Sequence, residues 1–571
     1  MESSSFLAGC LMLHRNSLLV TVVLIGAAIA YSAAAAEVSL YSGLGTVHHP
    51  VTTSSPLAQK YFDQGLAFTY GFNHDEAEVS FEQAAKLDPK MAMAPWGIAL
   101  VLGPNYNLPE DAQRGRKAYD AVRGARSLEA NATPEERDLI EALMNRYGSD
   151  GNGSPALDEA YANAMRKVAH RYPDDLDVQT LFAESLMDLH PWQLWSLDGK
   201  PGPNTLEIVA TLEGVLKRDP NHLGANHYYI HAVEASPDPS RAMASANRLA
   251  ALAPGAGHLV HMPAHIYIRT GRFHDSATTN ENAIKVDDAF IEKTAEGGVY
   301  PLMYRTHNIQ FLCYSQMMEG RSVDALKTAR LLETRVPLDA VRSMPMAEFL
   351  VPMPYIAEAR FSNWDAILRE PQPPEDLPYT SAIWHYTRGL AYAGQGKLEA
   401  AAKEQHALDA IVAAIPSDRP LGFGNTAKKT TALSAKVLAG EIASAQIDHK
   451  LAGQDFAEAV AMQDSLVYEE PPLWYFPVRE RLGAELFAQG QPQSAEAIYR
   501  GDLKINPDNP RSLFGLSQCL KAEGKKEEAA KYKAQFKDAW RYADIELQPL
   551  RVTASASNGE TDQASADGRS R

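Results

Sequence analysis

Apolar and small residues recur along residues 56–545 with the spacing of paired amphipathic helices. A small residue on the first helix of a pair lets the second helix approach closely. An aromatic residue on the second helix fills the space between them, and a proline ends the pair. The sequence shows no sustained period-2 alternation with hairpin turns. The pattern therefore predicts an all-α chain of helical hairpins, and it is clearest at Gly65, Phe68, Ala77, Phe81, Ala84 and Pro89.

The same spacing returns in the middle of the chain and toward its C-terminus. It is present at Ile230, Ala242, Ala246, Leu249 and Pro254; at His265, Ala277 and Ile284; at Cys313, Ala325, Ala329, Leu332 and Pro337; at Gly389, Tyr392 and Ala401; at Gly483, Leu486, Ala495, Tyr499 and Pro507; and at Leu520 and Ala529. Because these units agree, the chain resembles tetratricopeptide-repeat (TPR) proteins over nearly all of residues 56–545. The resemblance implies a right-handed superhelical solenoid with a concave binding surface.

Turn-forming residues interrupt the repeats and predict the domain organisation. Glycine and proline clusters at 148–156, 190–204 and 415–430 predict loops, and the proline-rich stretch 370–378 predicts a hinge between two solenoid halves. We expect an N-terminal TPR solenoid at 37–370 that contains a histidine-rich groove, C-terminal TPR repeats at 371–549, and a disordered tail at 550–571.

The N-terminus has the pattern of an export signal. The apolar run at 18–30 is shorter than the roughly 20 residues that a membrane-spanning helix needs, and small residues follow it at 32–36. We predict a secretory signal peptide at 1–36, with an uncleaved N-terminal anchor as the alternative. No later apolar run reaches spanning length, so the expected product is exported, periplasmic or secreted, without a membrane span after cleavage.

Composition excludes several classes of function. The formal net charge of −17 over 571 residues argues against nucleic acid and anionic lipid as partners, because both are bound by basic surfaces. Three cysteines without a CxxC pair cannot form a disulfide framework or a thiolate zinc site. Walker A, GxGxxG and GxSxG contexts are absent, so nucleotide cofactors and a serine-hydrolase elbow have no support in the sequence.

Histidines are concentrated in one part of the chain: seven of 17 fall within residues 222–274. Helical spacing places His227, His231 and Glu234 on one helical face, and it does the same for His258, His261 and His265. The repeat pattern puts both faces on the first helices of adjacent repeats. In TPR arrays the first helices line the groove. Imidazole and carboxylate groups converging from adjacent helices are typical of a site for one divalent transition metal, Zn, Fe, Mn or Cu. The predicted ligands are His227, His231, His261 and His265, with Glu234, His258 and His307 as further candidates.

Two other interpretations of the histidines remain open. In the first, the imidazoles only hydrogen-bond one another and buried carbonyl groups. In the second, they form a pocket for an anionic ligand. The absence of HExxH argues against a zincin-type protease. A further group of aromatic and histidine side chains is expected either to line the same groove or to pack between helices. These residues are Trp192, Trp195, Tyr228, Tyr267 and His74.

The histidine segments also resemble those of a bacterial exported group of TPR proteins. The resemblance rests on HYYIHAVEAS at 227–236 and GHLVHMPAHIY at 257–267, and it implies a shared architecture and pocket without implying a reaction. The predicted function is an exported binding scaffold for a protein or peptide partner, with a metal site in its groove. The alternatives are a metal-dependent enzyme, either a hydrolase or an oxygenase, and a cell-envelope assembly factor.

Overall fold

The computed structural model describes residues 38–109, 111–294, 298 and 300–551. Within these residues the chain is almost entirely helical, which confirms the predicted all-α class. The predicted signal peptide and residues 552–571 of the predicted tail lie outside the described residues. None of the described helices is both long and apolar enough to cross a membrane.

The helices follow one another through short connections. In chain order they are α1 (Pro56–Tyr70), α2 (His74–Leu87), α3 (Met93–Leu102), α4 (Ala112–Ser127), α5 (Pro134–Leu143), α6 (Pro155–Arg171), α7 (Leu176–Met187), α8 (Thr205–Arg218), α9 (Leu223–Glu234), α10 (Met243–Leu252), α11 (Gly257–His261), α12 (Pro263–Arg269), α13 (Phe273–Thr294), α14 (Thr306–Glu319), α15 (Ser322–Arg335), α16 (Leu338–Ser343), α17 (Met353–Arg360), α18 (Trp364–Ile367), α19 (Pro378–Gly394), α20 (Leu398–Ala414), α21 (Ala427–Ala445), α22 (His449–Asp464), α23 (Val478–Ala488), α24 (Pro492–Ile505), α25 (Pro510–Ala522) and α26 (Lys526–Ala539). Short 3-10 turns lie at Glu129–Asn131, Pro239–Ala242 and Pro345–Leu350, and a π-helical turn at Tyr300–Arg305 leads into α14. The only strands in the described residues are β1 (Pro420–Leu421) and β2 (Asn425–Thr426), an antiparallel pair within the predicted 415–430 interruption.

Glycine and aromatic residues meet between helices as the repeat pattern predicts. The buried ring of Tyr499 lies between Gly483 and Gly515, where a Cβ atom would come within 2.6 Å and 2.3 Å of the ring. Phe81 lies in the same way against Gly65, at 2.6 Å from the Cβ position. The absence of a glycine side chain therefore makes room for each aromatic ring.

Proline residues mark several of the predicted boundaries. Pro263 separates α11 from α12, and Pro378 opens α19 after the proline-rich stretch. One hydrophobic cluster nevertheless extends across that stretch, since Ile309 of α14 and Ile383 of α19 belong to it. Side-chain packing is thus continuous on both sides of residues 370–378.

Segments from the second half of the chain cover the inner face of the first helices. The Gln310 amide donates to the hydroxyl of Tyr475 at 2.6 Å, and Trp192 stacks on Phe423. These segments therefore pack against helices that carry the predicted histidines. Cys313 and Cys519 are both buried free thiols.

Candidate metal centre

Six of the predicted histidines lie on successive first helices of adjacent hairpins. They come from α9 (His227, His231), α11 (His258, His261), α12 (His265) and α14 (His307). Every residue of α9 is buried, because other helices pack on all of its sides. The spacing predicted that His227 and His231 lie together, and they do, whereas His258 lies in a different group from His261 and His265. The five histidines of α9, α11 and α12 are at most 3% exposed.

The six imidazoles divide into two groups of three. The first trio is His227, His231 and His258, and the second trio is His261, His265 and His307. Within each trio the nearest ligand atoms all lie within 4.8 Å of one another. The two trios are adjacent, since the rings of His231 and His265 have their centroids 5.7 Å apart. The sequence predicted a single site, whereas the structure shows two neighbouring sets of three.

Ring nitrogens face each other inside both trios. The Nε2 atoms of His227 and His258 are 3.2 Å apart, and those of His261 and His265 are 2.8 Å apart. Nε2 of His231 is buried and has no hydrogen-bond partner among the described residues. These nitrogens are therefore available inside the trios rather than committed to other protein groups.

The opposite ring nitrogens of His227 and His261 are held by outer acceptors. Nδ1 of His227 is 2.6 Å from the carbonyl oxygen of Tyr70, and a carbonyl oxygen only accepts, so Nδ1 carries the hydrogen. Nδ1 of His261 is 2.6 Å from Oδ1 of Asn280, whose amide nitrogen donates elsewhere. Acceptors of this kind fix the orientation and tautomer of an imidazole and direct its Nε2 lone pair toward the other imidazoles of the trio.

One carboxylate serves both trios. Glu234 Oε1 accepts from Nδ1 of His231 at 3.1 Å, and its Oε2 lies 2.8 Å from Nδ1 of His265. Glu234 was predicted as a candidate ligand, and with His265 and Glu470 it forms a further group whose possible ligand atoms lie within 4.8 Å of one another. Its contacts with His231 and His265 also orient one imidazole of each trio.

Glu470 brings a second carboxylate from a distant part of the chain. Its Oε2 lies 2.8 Å from Nδ1 of His265, and its side chain is 1% exposed. Burial raises the pKa of Glu470 to about 7. Burial opposes the charged form of His265, but Glu234 and Glu470 outweigh it and raise the pKa of His265 to about 10.

The other imidazoles of the centre are held in their neutral form. Burial lowers the pKa of His227, His258 and His261 well below the ordinary histidine value, and neighbouring imidazoles add to the effect. Burial also lowers the pKa of His307 to about 3. A neutral imidazole is the form that binds a metal ion.

Aromatic rings enclose the centre. Phe72 stacks on the rings of His231 and His258, Tyr106 lies 5.1 Å from His231, and Phe311 lies 4.8 Å from both His261 and His265 by ring centroids. This apolar surround lowers the local dielectric and separates the imidazoles from bulk water.

The predicted groove residues are only partly brought to the centre. Trp192 lies edge-on to His231, and Tyr228 lies 5.3 Å from His227 by ring centroids. Trp195 donates to the Ala232 carbonyl, and Tyr267 donates to Asn247, so both tie helices together. His74 lies at 3.0 Å from the carbonyl oxygen of Val101 and belongs to neither trio.

Several contributors were not predicted. Glu470 lies in a proline-flanked segment without helical periodicity, so no pattern in the sequence links it to His265. Asn280 contacts His261 through its amide oxygen, and Tyr70 contacts His227 through its main-chain carbonyl. Neither contact can be predicted from composition or residue spacing. The one available signal was the run Tyr468-Glu469-Glu470-Pro471, which combines two acidic residues with a break in helix.

Comparisons with known proteins identify tetratricopeptide repeats in the C-terminal part of the chain, outside the helices that carry the histidines. The tetratricopeptide-repeat family matches residues 486–532. Curated proteins gave no match. Among solved structures, the chain is similar to the human IFIT1 dimer with m7Gppp-AAAA, at 13% identity and a TM-score of 0.32, covering 80% of this chain and 90% of that one.

Two further solved structures are similar at the same level. The APC/C hetero-tetramer Cut9-Hcn1 has 12% identity and a TM-score of 0.28, with 85% of this chain and 74% of that chain covered. Yeast Tom70 has 9% identity and a TM-score of 0.29, with 84% and 92% covered. The glycine and aromatic packing and the match at 486–532 together make this an all-α chain of helical hairpins that contains tetratricopeptide repeats.

Proposed function

We propose that this protein is a TPR-type scaffold that holds two transition-metal ions in its interior, one in each histidine trio. The observation that carries the proposal is the pair of facing ring nitrogens in each trio, 3.2 Å and 2.8 Å apart. Two nitrogen lone pairs at such a distance repel each other unless a proton or a metal ion lies between them.

The outer hydrogen bonds leave the Nε2 lone pairs of His227, His231 and His261 free to bind a metal ion. Nδ1 of His227, His231 and His261 already carries a hydrogen toward Tyr70, Glu234 and Asn280. A further proton on Nε2 would make a buried imidazolium, which burial disfavours at these three positions. A metal ion binds the Nε2 lone pairs of these three imidazoles and leaves each ring neutral.

The types of donor atom in each trio indicate which metal ions would fit. Each trio offers three imidazole nitrogens, a set that suits Zn, Cu and Fe better than Mn, which prefers oxygen ligands. Enclosure by aromatic rings supports a role in holding the structure together or storing metal rather than turnover of a large substrate. Glu470 belongs to the segment before α23, so an ordered centre also fixes that segment against α12.

Metal content of the purified protein tests this proposal. We expect about two equivalents of Zn or Cu after reconstitution, measured by plasma mass spectrometry. The double variant His227→Ala/His231→Ala should lose one equivalent, and His261→Ala/His307→Ala should lose the other. His406→Ala is the control, because His406 is exposed and distant in sequence from the trios.

A variant that conserves side-chain size separates loss of metal binding from loss of folding. Glu234→Gln keeps the volume but weakens the acceptor of His231 and His265, so we expect metal affinity at both trios to fall about 10- to 100-fold. Circular dichroism should show unchanged helix content. Absence of bound metal from reconstituted wild-type protein would refute the proposal and leave the histidines as hydrogen-bonding groups.

A further inference from the structure

A separate group of metal-binding side chains lies where the segment before α1 meets the start of α7. His49 belongs to that segment, and Asp175 and Asp177 lie at and just after the N-cap of α7. One ligand atom from each of the three lies within 4.8 Å of the other two. The group is partly open to solvent, because the side chains of Asp175 and Asp177 are 25% and 19% exposed.

Both carboxylates have one oxygen occupied and one directed at His49. Asp175 Oδ1 accepts from the Val178 amide at 2.8 Å, which caps α7, and its Oδ2 lies 3.8 Å from Nδ1 of His49. Asp177 Oδ1 accepts from the Tyr70 hydroxyl at 2.5 Å, and its Oδ2 lies 3.1 Å from the same nitrogen. The side chains are thus oriented, and one donor atom of each points to a common centre.

His222 orients this group without being a ligand. Its Nδ1 accepts from the Ala225 amide at 3.2 Å, so its Nε2 carries the hydrogen and donates to Asp177 Oδ1 at 3.2 Å. Outer donors of this kind position ligating carboxylates in metal sites.

Negative charge is in excess at the group. Glu135 lies against Asp175, and its Oε1 is a buried atom without a hydrogen-bond partner among the described residues. The carboxylates of Glu135, Asp175 and Asp177 therefore meet the imidazoles of His49 and His222, and a bound cation would balance the remaining negative charge.

We propose that His49 Nδ1, Asp175 Oδ2 and Asp177 Oδ2 bind one divalent transition-metal ion of the Mn²⁺ or Zn²⁺ type. The 3.1 Å between His49 Nδ1 and Asp177 Oδ2 matches two ligands about 2.1 Å from one ion. Asp175 Oδ2 is 3.8 Å from His49 Nδ1, and a small movement of its side chain brings it to the same distance from the ion. The exposed side of the group leaves coordination positions for water.

The ion would tie the N-terminal segment to the helices that support the histidine centre. Tyr70 links the two places, since its hydroxyl donates to Asp177 while its carbonyl accepts from His227. A metal ion that fixes Asp177 thereby also fixes Tyr70 beside the first trio. The site nevertheless has its own ligands and does not depend on metal in either trio.

Titration of Mn²⁺ into metal-free protein tests the site, with free Mn²⁺ followed by its paramagnetic resonance signal. Asp175→Asn is the informative variant, because asparagine still caps α7 but is a poorer ligand. We expect His49→Gln and Asp175→Asn each to weaken Mn²⁺ binding at least tenfold. Zn²⁺ serves as a competing probe at the same site.

A neighbouring residue of the same type provides a control for each of these two variants. His48 is 61% exposed and Asp174 is 99% exposed, so His48→Gln and Asp174→Asn should bind Mn²⁺ as the wild type does. The Glu234→Gln variant should also keep this binding, which separates the site from the histidine trios. Wild-type protein that binds neither ion, or equal losses in the variants and their controls, would overturn the inference and leave an ion-pair network.

Discussion

Trp192 and Phe423 stack with their ring centroids 4.8 Å apart and their planes 9° from parallel, although 230 residues separate them in the chain. Trp192 also lies edge-on to His231, and Phe423 lies in the turn between β1 and β2. The pair therefore places a residue of the β1–β2 turn over the first histidine trio.

The stack is expected to slow exchange of metal from the first trio. Phe423→Ala removes one ring, and an aromatic pair contributes about 0.5–1.5 kcal/mol beyond the area it buries. We predict that a chelator strips metal about three- to tenfold faster from this variant, with unchanged metal content before chelation. Stopped-flow absorbance of a coloured chelator measures the rate.

Leu206→Ala is a suitable control for the exchange experiment, because Leu206 is 61% exposed on α8. Its chelation rate should equal that of the wild type. Equal rates in the wild type and Phe423→Ala would show that metal leaves by another route.

Close packing of helices at the C-terminal repeat gives a stability prediction. A Cβ atom at Gly515 would come within 2.3 Å of the buried Tyr499 ring, so the ring would have to move. We expect Gly515→Ala to lower the free energy of unfolding by about 1–3 kcal/mol. Chemical denaturation followed by circular dichroism measures the change.

Gly214 provides the matched substitution in open space. It lies within α8, and a Cβ atom there would have no other atom within 4 Å. Gly214→Ala should raise stability by about 0.5–1 kcal/mol, because alanine loses less conformational freedom in a helix. Destabilisation by both substitutions would contradict the packing argument.

The buried carboxyl of Glu469 predicts how stability depends on pH. It accepts from the Asn425 amide at 2.7 Å, yet burial raises its pKa to about 7 from 4.5. The folded protein therefore binds this proton more tightly than the unfolded chain does. Its contribution to stability is complete below about pH 4.5 and is lost as pH rises to about 7.

Comparison with Glu469→Gln isolates that contribution. Between pH 5 and pH 8, the wild type should lose about 2–3 kcal/mol more unfolding free energy than the variant, since one pKa unit corresponds to about 1.36 kcal/mol. Urea denaturation at the two pH values measures both. Parallel losses would assign the pH dependence to other groups.

Local sequence determined the repeating helical hairpins and the histidine faces. Glycine, alanine and aromatic positions encode how closely two neighbouring helices approach, and Gly483 with Tyr499 illustrates this. The i, i+4 spacing of His227 and His231 likewise fixes a shared face, because helical geometry depends only on nearby residues. These features need no knowledge of distant contacts.

Only the tertiary structure decided how the histidines are used. It divided them into two trios, buried them, and brought Glu470 to His265 from more than 200 residues away. It also assembled His49 with Asp175 and Asp177, which no spacing rule connects. The physical reason is that metal sites and buried charge depend on distances between side chains from separate elements, and those distances arise when the elements pack.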